Sequence, residues 1–382
     1  MKRLLILKVS VLFFIFTALF AISGCSYSRY PTGDISSNPT ITRLDSNSMP
    51  FYTVRLEYKD KKIEEKIGPG TKNKIFSDFV KEITANSDIN INFNDIKGTN
   101  FYYSGIGDIE LPDNKTFSIK YHHSLVRRAP HVHIPVGFSN GNQYPAYLDT
   151  GFYGYILLTS DIILDNKLPI FQLTNLCHIS ELTFGDAKIK DALVNYDQEQ
   201  WQFRVLNIPV YKQTDIIIGR EFIRYFDYVV FDNVRKEAIF SKEDAFTPDN
   251  SDLWTSYLFY EDPNQDNTIM LKIPIAGQAL DIAFDSCAWK PGLHLNQNDW
   301  ELISKDLTVK NLRNTHHYMW QTGQVSCQKA IVSELSLGDK TIKNAEILIY
   351  DNKENLNLLS LDYFQDTVVV LDFVNNLFWI KK

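Results

Sequence analysis

From about residue 129 to the end of the chain, apolar residues occur in short runs that Gly, Asn and Asp interrupt. Few stretches are long enough, or periodic enough, for an α-helix. This pattern predicts an all-β structure for that part of the chain. Upstream, apolar and polar residues alternate in Tyr52–Tyr58, which predicts a half-buried strand, and a helix is predicted over Lys74–Ile83.

The apolar segments after residue 129 occur twice in the same order. The four pairs are Tyr147–Gly151 with Ile282–Cys287, Glu181–Asp186 with Glu334–Asp339, Ile216–Phe222 with Leu358–Phe364, and Val229–Asp232 with Val369–Asp372. The separation within a pair stays between 136 and 153 residues. Such ordered repetition predicts two equivalent lobes, residues 129–244 and 245–382.

The N-terminus has the pattern of an export signal. A basic start, Met1–Arg3, precedes the apolar run Val9–Ile22 and two small residues. The segment Ile22–Cys25 resembles the lipobox of bacterial lipoproteins, which implies removal of residues 1–24 as a signal peptide and lipid attachment at Cys25. An uncleaved membrane helix is the alternative.

Residues 25–48 are rich in Ser, Asn, Thr and Pro, so they are predicted to form a lipidated, solvated tether. Residues 49–128 contain no recognisable motif. They are a small domain, a propiece or extra strands on the first lobe. Ser26 is not the acidic residue that often retains lipoproteins in the inner membrane. By resemblance to Gram-negative sorting, we expect a protein of the bacterial envelope, anchored in the outer membrane and facing the periplasm.

Composition excludes some other classes. The chain is 44% hydrophobic and 22% charged, as expected of globular protein, and its net charge of −7 is modest. No run of Lys and Arg is interleaved with aromatic residues, so we expect no nucleic-acid partner.

The cysteines and histidines form no recognisable metal site. No C-x-x-C motif includes Cys177, Cys287 or Cys327, and the sequence leaves open whether Cys287 and Cys327 form a disulfide. His131 and His133 share a strand face, which a partly buried strand explains, and the adjacent pairs His122–His123 and His316–His317 point to opposite faces. We therefore expect no metal and no other cofactor.

An apolar strand ends in Asp149-Thr150-Gly151, and Ile217-Ile218-Gly219 follows about 70 residues later. This order resembles a lobe of the pepsin and retropepsin superfamily of aspartic peptidases, and the resemblance covers residues 129–382. It implies an all-β, two-lobed pepsin-like fold with a small N-terminal extension, in which Asp149 and Asp285 form a catalytic pair. Amide hydrolysis by such a pair needs one carboxylate to activate water and one carboxylic acid to protonate the carbonyl oxygen.

The resemblance also assigns roles to the neighbours of the two aspartates. Thr150 and Ser286 are expected to bond across to the backbone of the other lobe. Gly151 would let backbone amides approach the carboxylate, and Gly219 would pack below the first catalytic loop. The second lobe departs from the family at both glycine positions, where Cys287 and Ser360 stand. A nucleophilic role for the Cys287 thiol has no identifiable histidine or acid partner.

The second lobe has a longer segment after its aspartate, and Tyr318–Gln324 within it combines aromatic, apolar and Gly residues. In the family a β-hairpin flap covers the cleft, so Tyr318, Trp320 and Gly323 are predicted at a flap tip. An ordinary hairpin is the alternative.

The resemblance implies a monomeric aspartic endopeptidase that cuts a peptide or protein substrate. Two other functions stay open. A catalytically inactive descendant would bind an extended peptide or envelope partner by strand addition. Alternatively, the N-terminal region is the functional module and the lobes are its scaffold.

Overall fold

We describe a computed structural model of the chain. It describes residues 26–31, 40, 43–44, 52–58, 61–67, 102–103, 108–123, 132–171, 176–197, 199–205, 208–212, 216–262, 265, 268–319, 323–351 and 356–382. The predicted helix at Lys74–Ile83, the export signal and Cys25 lie outside these residues. The predicted strand at Tyr52–Tyr58 is confirmed.

The first strands in chain order are β1 (Ser26–Pro31), β2 (Arg43–Leu44), β3 (Tyr52–Tyr58), β4 (Lys61–Ile67), β5 (Tyr102–Tyr103), β6 (Asp108–Glu110), β7 (Thr116–Lys120) and β8 (His122–His123). The first lobe continues with β9 (Val132–Phe138), β10 (Gln143–Asp149), β11 (Ile156–Thr159), helix α1 (Ser160–Asn166), β12 (Ile170–Phe171), β13 (Leu176–Phe184), β14 (Ala187–Asp197), β15 (Glu199–Val205), β16 (Ile208–Lys212), β17 (Ile216–Gly219), helix α2 (Arg220–Ile223), β18 (Tyr228–Asp232) and β19 (Glu237–Ser241).

The second lobe contains β20 (Trp254–Asp262), β21 (Thr268–Leu271), β22 (Pro274–Ile275), β23 (Gln278–Ala279), β24 (Ile282–Phe284), β25 (Leu293–Asn296), helix α3 (Gln297–Ile303), β26 (Val309–Met319), β27 (Gly323–Leu337), β28 (Lys340–Tyr350), β29 (Leu358–Leu359), β30 (Val368–Asp372) and β31 (Leu377–Lys381). Short 3₁₀ turns lie at Ser251–Leu253, Ser304–Asp306 and Leu361–Phe364.

The two lobes repeat one arrangement of strands. In the first, β10 runs parallel to β17, and β11 lies antiparallel on the other side of β17. In the second, β24 runs parallel to β29, and β25 lies antiparallel on its other side. Leu148, Ile218, Phe284 and Leu359 on these central strands are completely buried. Continuous apolar runs are what strands buried on both faces require.

A six-stranded antiparallel sheet joins the lobes, in the order β7-β19-β18-β30-β31-β20. Its two central strands, β18 and β30, are counterparts in the duplicated sequence. The outer strands also correspond, since β19 and β31 flank them on either side. The interface between the lobes is thus a continuous hydrogen-bonded sheet, and one apolar core extends through both lobes.

The N-terminal strands are partly built into this body. Strand β7 completes the joining sheet beside β19, β6 pairs with β14, and β8 pairs with β9. Phe117 and Ile119 alternate with exposed residues and enter the core, which is why this segment adds to the lobe. Residues 108–123 therefore add strands to the two-lobed body, which is one of the alternatives that the sequence left open for residues 49–128.

The segment predicted as a tether also contains strands. β1 pairs along its whole length with β15, and β2 pairs with β12. Ser26–Pro31 is therefore attached to the first lobe.

The predicted all-β, two-lobed pepsin-like fold is confirmed by these pairings. Within the described part of the chain, we find no helix of the length and apolarity needed to cross a membrane.

Candidate active site

The two predicted catalytic aspartates lie at equivalent places. Asp149 is the last residue of β10, opposite Gly219, and Asp285 directly follows β24. Side chains alternate along a strand, so Tyr147 and Asp149 face away from the core into which Leu148 points. We call this side of each lobe's sheet the carboxylate face. In the second lobe it carries Ala283 and Asp285.

Crossed hydrogen bonds between the lobes hold the aspartates together. Thr150 Oγ1 donates to the Phe284 carbonyl at 3.0 Å and accepts from Ser286 N at 2.8 Å. Reciprocally, Ser286 Oγ donates to the Leu148 carbonyl at 2.6 Å and accepts from Thr150 N at 3.0 Å. All four bonds are buried, where an unpaired amide or carbonyl is costly. Thr150 and Ser286 thus make the cross-lobe contacts that the resemblance implied.

Backbone amides orient both carboxylates in the same way. Asp149 Oδ1 accepts from Gly151 N at 2.9 Å and from Phe152 N at 3.1 Å. Asp285 Oδ1 accepts from Cys287 N at 2.8 Å. The cysteine therefore allows the same turn as the glycine.

A side chain fits at position 287 and not at position 151 because the two turns face different parts of the opposing lobe. A Cβ added at Gly151 would lie 2.6 Å from the carboxyl carbon of Asp285. The Cys287 side chain instead packs on Tyr147 and Ile217 of the first lobe, and its thiol donates to the Leu148 carbonyl at 3.3 Å. Glycine is thus required on the first lobe alone.

Gly219 and Ser360 differ in a similar way. Gly219 N donates to the Tyr155 carbonyl at 2.9 Å, and Ser360 N makes the equivalent bond to the Gly292 carbonyl at 2.8 Å. A Cβ at Gly219 would collide with the Gly154 carbonyl oxygen. Ser360 is accommodated, and its Oγ accepts from Asp362 N at 3.2 Å to begin a 3₁₀ turn. The backbone pairing below each aspartate is therefore preserved.

The environment separates the acidities of the two carboxyl groups. Burial raises the pKa of Asp149 well above its ordinary value, and the adjacent charge of Asp285 raises it further. Burial also raises the pKa of Asp285, but the Cys287 amide, a hydrogen bond from Asp149 and the positive charge of Arg220 oppose this effect. The two carboxyl groups therefore do not titrate independently, and the pKa of Asp149 is raised more strongly than that of Asp285.

Arg220 was not recognised as a site residue from sequence, although it directly follows the apolar run Ile216–Gly219. Its side chain is completely buried. Nη1 donates to the Thr150 carbonyl at 3.2 Å and to Thr268 Oγ1, on the second lobe, at 3.3 Å. Leu361 occupies the matching place after Ser360. The pair of aspartates therefore has a buried cation on one side only.

The predicted flap segment lies on a long hairpin. Strands β26 and β27 pair from Val309 to a tip where Met319 faces Gly323. Tyr318 is one position before Met319, and Trp320 lies outside the described residues.

The part of this hairpin near its tip folds back onto the second lobe's carboxylate face. β26 is three strands from β25 in the order β25-β28-β27-β26, which in a flat sheet is roughly 14 Å. The ring centroids of His317 on β26 and His294 on β25 are nevertheless 4.9 Å apart. His316 is exposed and His317 is buried, as expected for neighbours on a strand. The hairpin thus packs against the second lobe beside Trp289 and His294, and its role as a flap stays a prediction.

Other chemistry receives no support from the described residues. Cys177, Cys287 and Cys327 are buried and form no disulfide with one another. No group of three or more His, Cys, Asp or Glu side chains in the described part of the chain is arranged to hold a metal ion. His133 packs edge-on against Tyr147, with ring centroids 4.3 Å apart, and His131 lies outside the described residues.

Comparisons with known proteins give the following results. No protein-family model matches the sequence, and no curated protein matches it. Among solved structures, the chain is similar to conglutin gamma, a basic 7S globulin from lupine seeds, with 8% identity and a TM-score of 0.42 over 71% of this chain and 95% of that one. It is also similar to a retropepsin-like aspartic protease from Rickettsia conorii, with 14% identity and a TM-score of 0.25 over 33% of this chain and 93% of that one.

Proposed function

We propose that the protein is an aspartic endopeptidase whose catalytic pair is Asp149 and Asp285. The observation that supports this most directly is that the crossed bonds bring one aspartate from each lobe together, where desolvation and the charge of Asp285 raise the pKa of Asp149 well above its ordinary value. Bringing two carboxylates together without a cation between them is unfavourable, so the crossed Thr150 and Ser286 bonds have to offset the repulsion. Such an arrangement is typical of acid–base chemistry.

The protonation states define the two roles. The Asp285 carboxylate accepts a proton from a water molecule as the water oxygen bonds to the carbonyl carbon of the scissile peptide. Asp149 donates its proton to the carbonyl oxygen. The tetrahedral intermediate then collapses: Asp285 delivers the proton that it accepted to the amide nitrogen, one hydroxyl of the intermediate returns its proton to Asp149, and the C–N bond breaks. The products are a carboxylic acid and an amine.

An extended peptide substrate suits the surroundings of the pair. Both carboxyl groups lie on the carboxylate face, and the β26–β27 hairpin folds back onto the second lobe's part of that face, from which we propose that it covers a bound peptide. Such a cover excludes water and strengthens the electrostatic effect of the pair. Because one chain supplies both aspartates, we propose that the protein acts as a monomer.

We also propose that Cys25 carries the lipid that anchors the protein in the outer membrane, with the lobes facing the periplasm. The lipobox-like segment Ile22–Cys25 supports this. Strand β1 begins at Ser26 and pairs with β15 of the first lobe, so such an anchor would hold this lobe close to the bilayer. Metabolic labelling with palmitate tests the proposal, since a Cys25→Ser variant should lose all label. Equal labelling of that variant would reject it.

The activity is tested with the full chain in detergent and a library of unstructured peptides, from about pH 3 to pH 8. Asp149→Asn and Asp285→Asn preserve side-chain shape and remove the shared acid–base function. Each should lower kcat by a factor on the order of 10² to 10⁴. Asp113→Asn, at an exposed turn, is the matched control and should cleave normally. The proposal fails if the wild-type chain cuts no peptide, or if both active-site variants cut as it does.

A further inference from the structure

A cluster of aromatic side chains lies beside Asp285 on the second lobe's carboxylate face. It consists of Trp289, His294, His317 and Tyr350, which we call the histidine pocket. The His317 ring is 4.9 Å from that of His294 and 6.0 Å from that of Trp289, between centroids. Trp289 follows directly after the turn whose amides orient Asp285. The pocket is therefore connected to the catalytic pair through a single short segment.

His294 is part of the wall of this pocket. Its Nε2 lies 2.9 Å from the Trp289 carbonyl oxygen, which only accepts hydrogen bonds, so Nε2 carries the proton. Its Nδ1 then accepts from the Tyr350 hydroxyl at 3.3 Å. Burial lowers the pKa of His294 to about 4, which keeps the ring neutral. Both nitrogens are used within the fold, and His294 is left with no capacity for a ligand.

His317 is different. It is 9% exposed, and its ring nitrogens have no hydrogen-bond partner among the described residues. Burial and the neighbouring His294 lower the pKa of His317 to about 3, and no charged side chain contributes to that shift. The neutral ring therefore has one N–H donor and one nitrogen acceptor that no described residue uses.

The chemistry of the pocket selects among substrate side chains. A carboxylate would lose its hydration here without gaining an opposite charge. An aliphatic side chain would leave the imidazole donor and acceptor unpaired. A carboxamide has one acceptor oxygen and an N–H donor, which complement a neutral imidazole, and its flat group can pack on the Trp289 ring.

The opposite side of the cleft has another character. On the first lobe the residues beside Asp149 are apolar: Tyr147, Phe152, Leu157 and Ile217, with Cys287 reaching across. Leu157 and His294 occupy equivalent places in the strands that follow the two catalytic turns, β11 and β25. The duplicated scaffold thus presents an apolar residue on one side of the pair and a polar pocket on the other.

We propose that His317 and Trp289 are specificity-determining residues, which select a Gln or Asn side chain of the substrate on the second-lobe side of the catalytic pair. This inference rests on the proposed peptidase function.

The test uses the full chain and peptides that differ at one residue, with Gln, Leu or Glu placed in turn on either side of the cleaved bond. We expect the wild-type protein to prefer Gln at one of these positions. His317→Phe keeps the aromatic packing and removes the donor and acceptor, so it should lower the ratio of kcat/KM for Gln over Leu peptides roughly tenfold. The kcat/KM for the Leu peptide should fall much less than that for the Gln peptide, so the effect appears in their ratio. His316→Phe, the exposed neighbour, should leave both values unchanged.

If an active wild-type protein shows no preference for Gln or Asn at any position, the proposed specificity is wrong, while the proposed peptidase function is unaffected. An unchanged Gln-to-Leu ratio in an active His317→Phe variant would lead to the same conclusion. If no peptide is cleaved, calorimetric binding to the Asp149→Asn chain separates the two proposals. Tighter binding of the Gln peptide, lost on adding His317→Phe, would support the pocket; equal affinities for Gln and Leu peptides would reject it.

Discussion

Val230 lies opposite Val370 in the antiparallel pair β18–β30, and each residue is the counterpart of the other in the duplicated sequence. A residue that pairs with its own counterpart marks a local twofold axis. The crossed bonds of Thr150 and Ser286 follow the same twofold symmetry. Each hydroxyl donates to a backbone carbonyl of the other lobe and accepts from the backbone amide of the other residue. The scaffold of the candidate site is therefore nearly symmetric, while Arg220 and the histidine pocket are not.

The crossed bonds should contribute to stability as well as to activity. Thr150→Val removes the hydroxyl and leaves Ser286 N and the Phe284 carbonyl without partners inside the protein. We expect the free energy of unfolding to fall by about 1–3 kcal/mol and cleavage to fall at least tenfold. Urea denaturation and peptide cleavage measure the two effects.

Two control variants make this prediction specific. Thr150→Ser keeps the hydroxyl and should retain most of both properties. Thr255→Val removes an exposed hydroxyl bonded to Asp339 at 2.9 Å and should change the free energy of unfolding by less than about 0.5 kcal/mol. Equal destabilisation by Thr150→Val and Thr255→Val would contradict a special role for the crossed bonds.

Substitutions at the equivalent turn positions 151 and 287 should differ in their effect on cleavage. In Gly151→Ala the new methyl group would meet the Asp285 carboxyl group, so the pair must separate and cleavage should be lost. Cys287→Ala keeps the amide bond to Asp285 and removes only the sulfur that packs on Tyr147 and Ile217. Its activity should stay within about tenfold of wild type, with a loss of stability of about 1–2 kcal/mol. Similar residual activities for the two variants would show that the opposing carboxylate does not dictate the glycine.

These positions also show what sequence could and could not predict. The duplicated segments predicted the two lobes, because apolar strands and turn residues are local patterns, and the resemblance to aspartic peptidases implied the pairing of Asp149 with Asp285. They could not show that Cys287 is tolerated, since its side chain packs on residues of the other lobe. Arg220 and His317 were missed for the same reason. Their partners Thr268 and His294 are distant in sequence, and only the fold brings each pair together.

The stability of the fold should depend on the charge of the pair. Burial raises the pKa of Asp149 above its value in the unfolded chain. The protonated form therefore favours folding below the unfolded pKa, and this stabilisation is lost as the pH rises through the folded pKa. Asp149→Asn stays neutral at every pH, so its melting temperature should exceed that of wild type increasingly as the pH rises. Near pH 3 the two should converge.

Thermal unfolding of both chains at several pH values checks this expectation. Asp113→Asn, which changes an exposed carboxylate, serves as the control and should follow the wild-type curve. A constant difference between Asp149→Asn and wild type at all pH values would mean that Asp149 does not titrate with a raised pKa in the folded protein.

Arg220 should determine the pH at which kcat/KM falls on the acid side of its pH profile. Cleavage requires one protonated and one ionised aspartate, so it falls as the pH drops through the pKa of Asp285 and again as the pH rises through that of Asp149. The Arg220 charge lowers the pKa of Asp285. Replacing it by Met, which resembles the uncharged Leu361 of the second lobe, should raise that pKa and move the acid limb of kcat/KM to higher pH. The alkaline limb should move less, because the Arg220 charge affects the pKa of Asp285 more than that of Asp149.

A second variant separates charge from packing. Arg220→Met also removes bonds to the Thr150 carbonyl and Thr268, so circular dichroism must first show that the chain is folded. Arg220→Lys keeps a positive charge and loses the planar guanidinium, so it should leave the acid limb near its wild-type position even if the maximal rate falls. If both variants lower the rate equally at every pH, Arg220 acts only by joining the lobes. A shift of the acid limb in Arg220→Met alone would establish that the buried cation determines which aspartate is ionised.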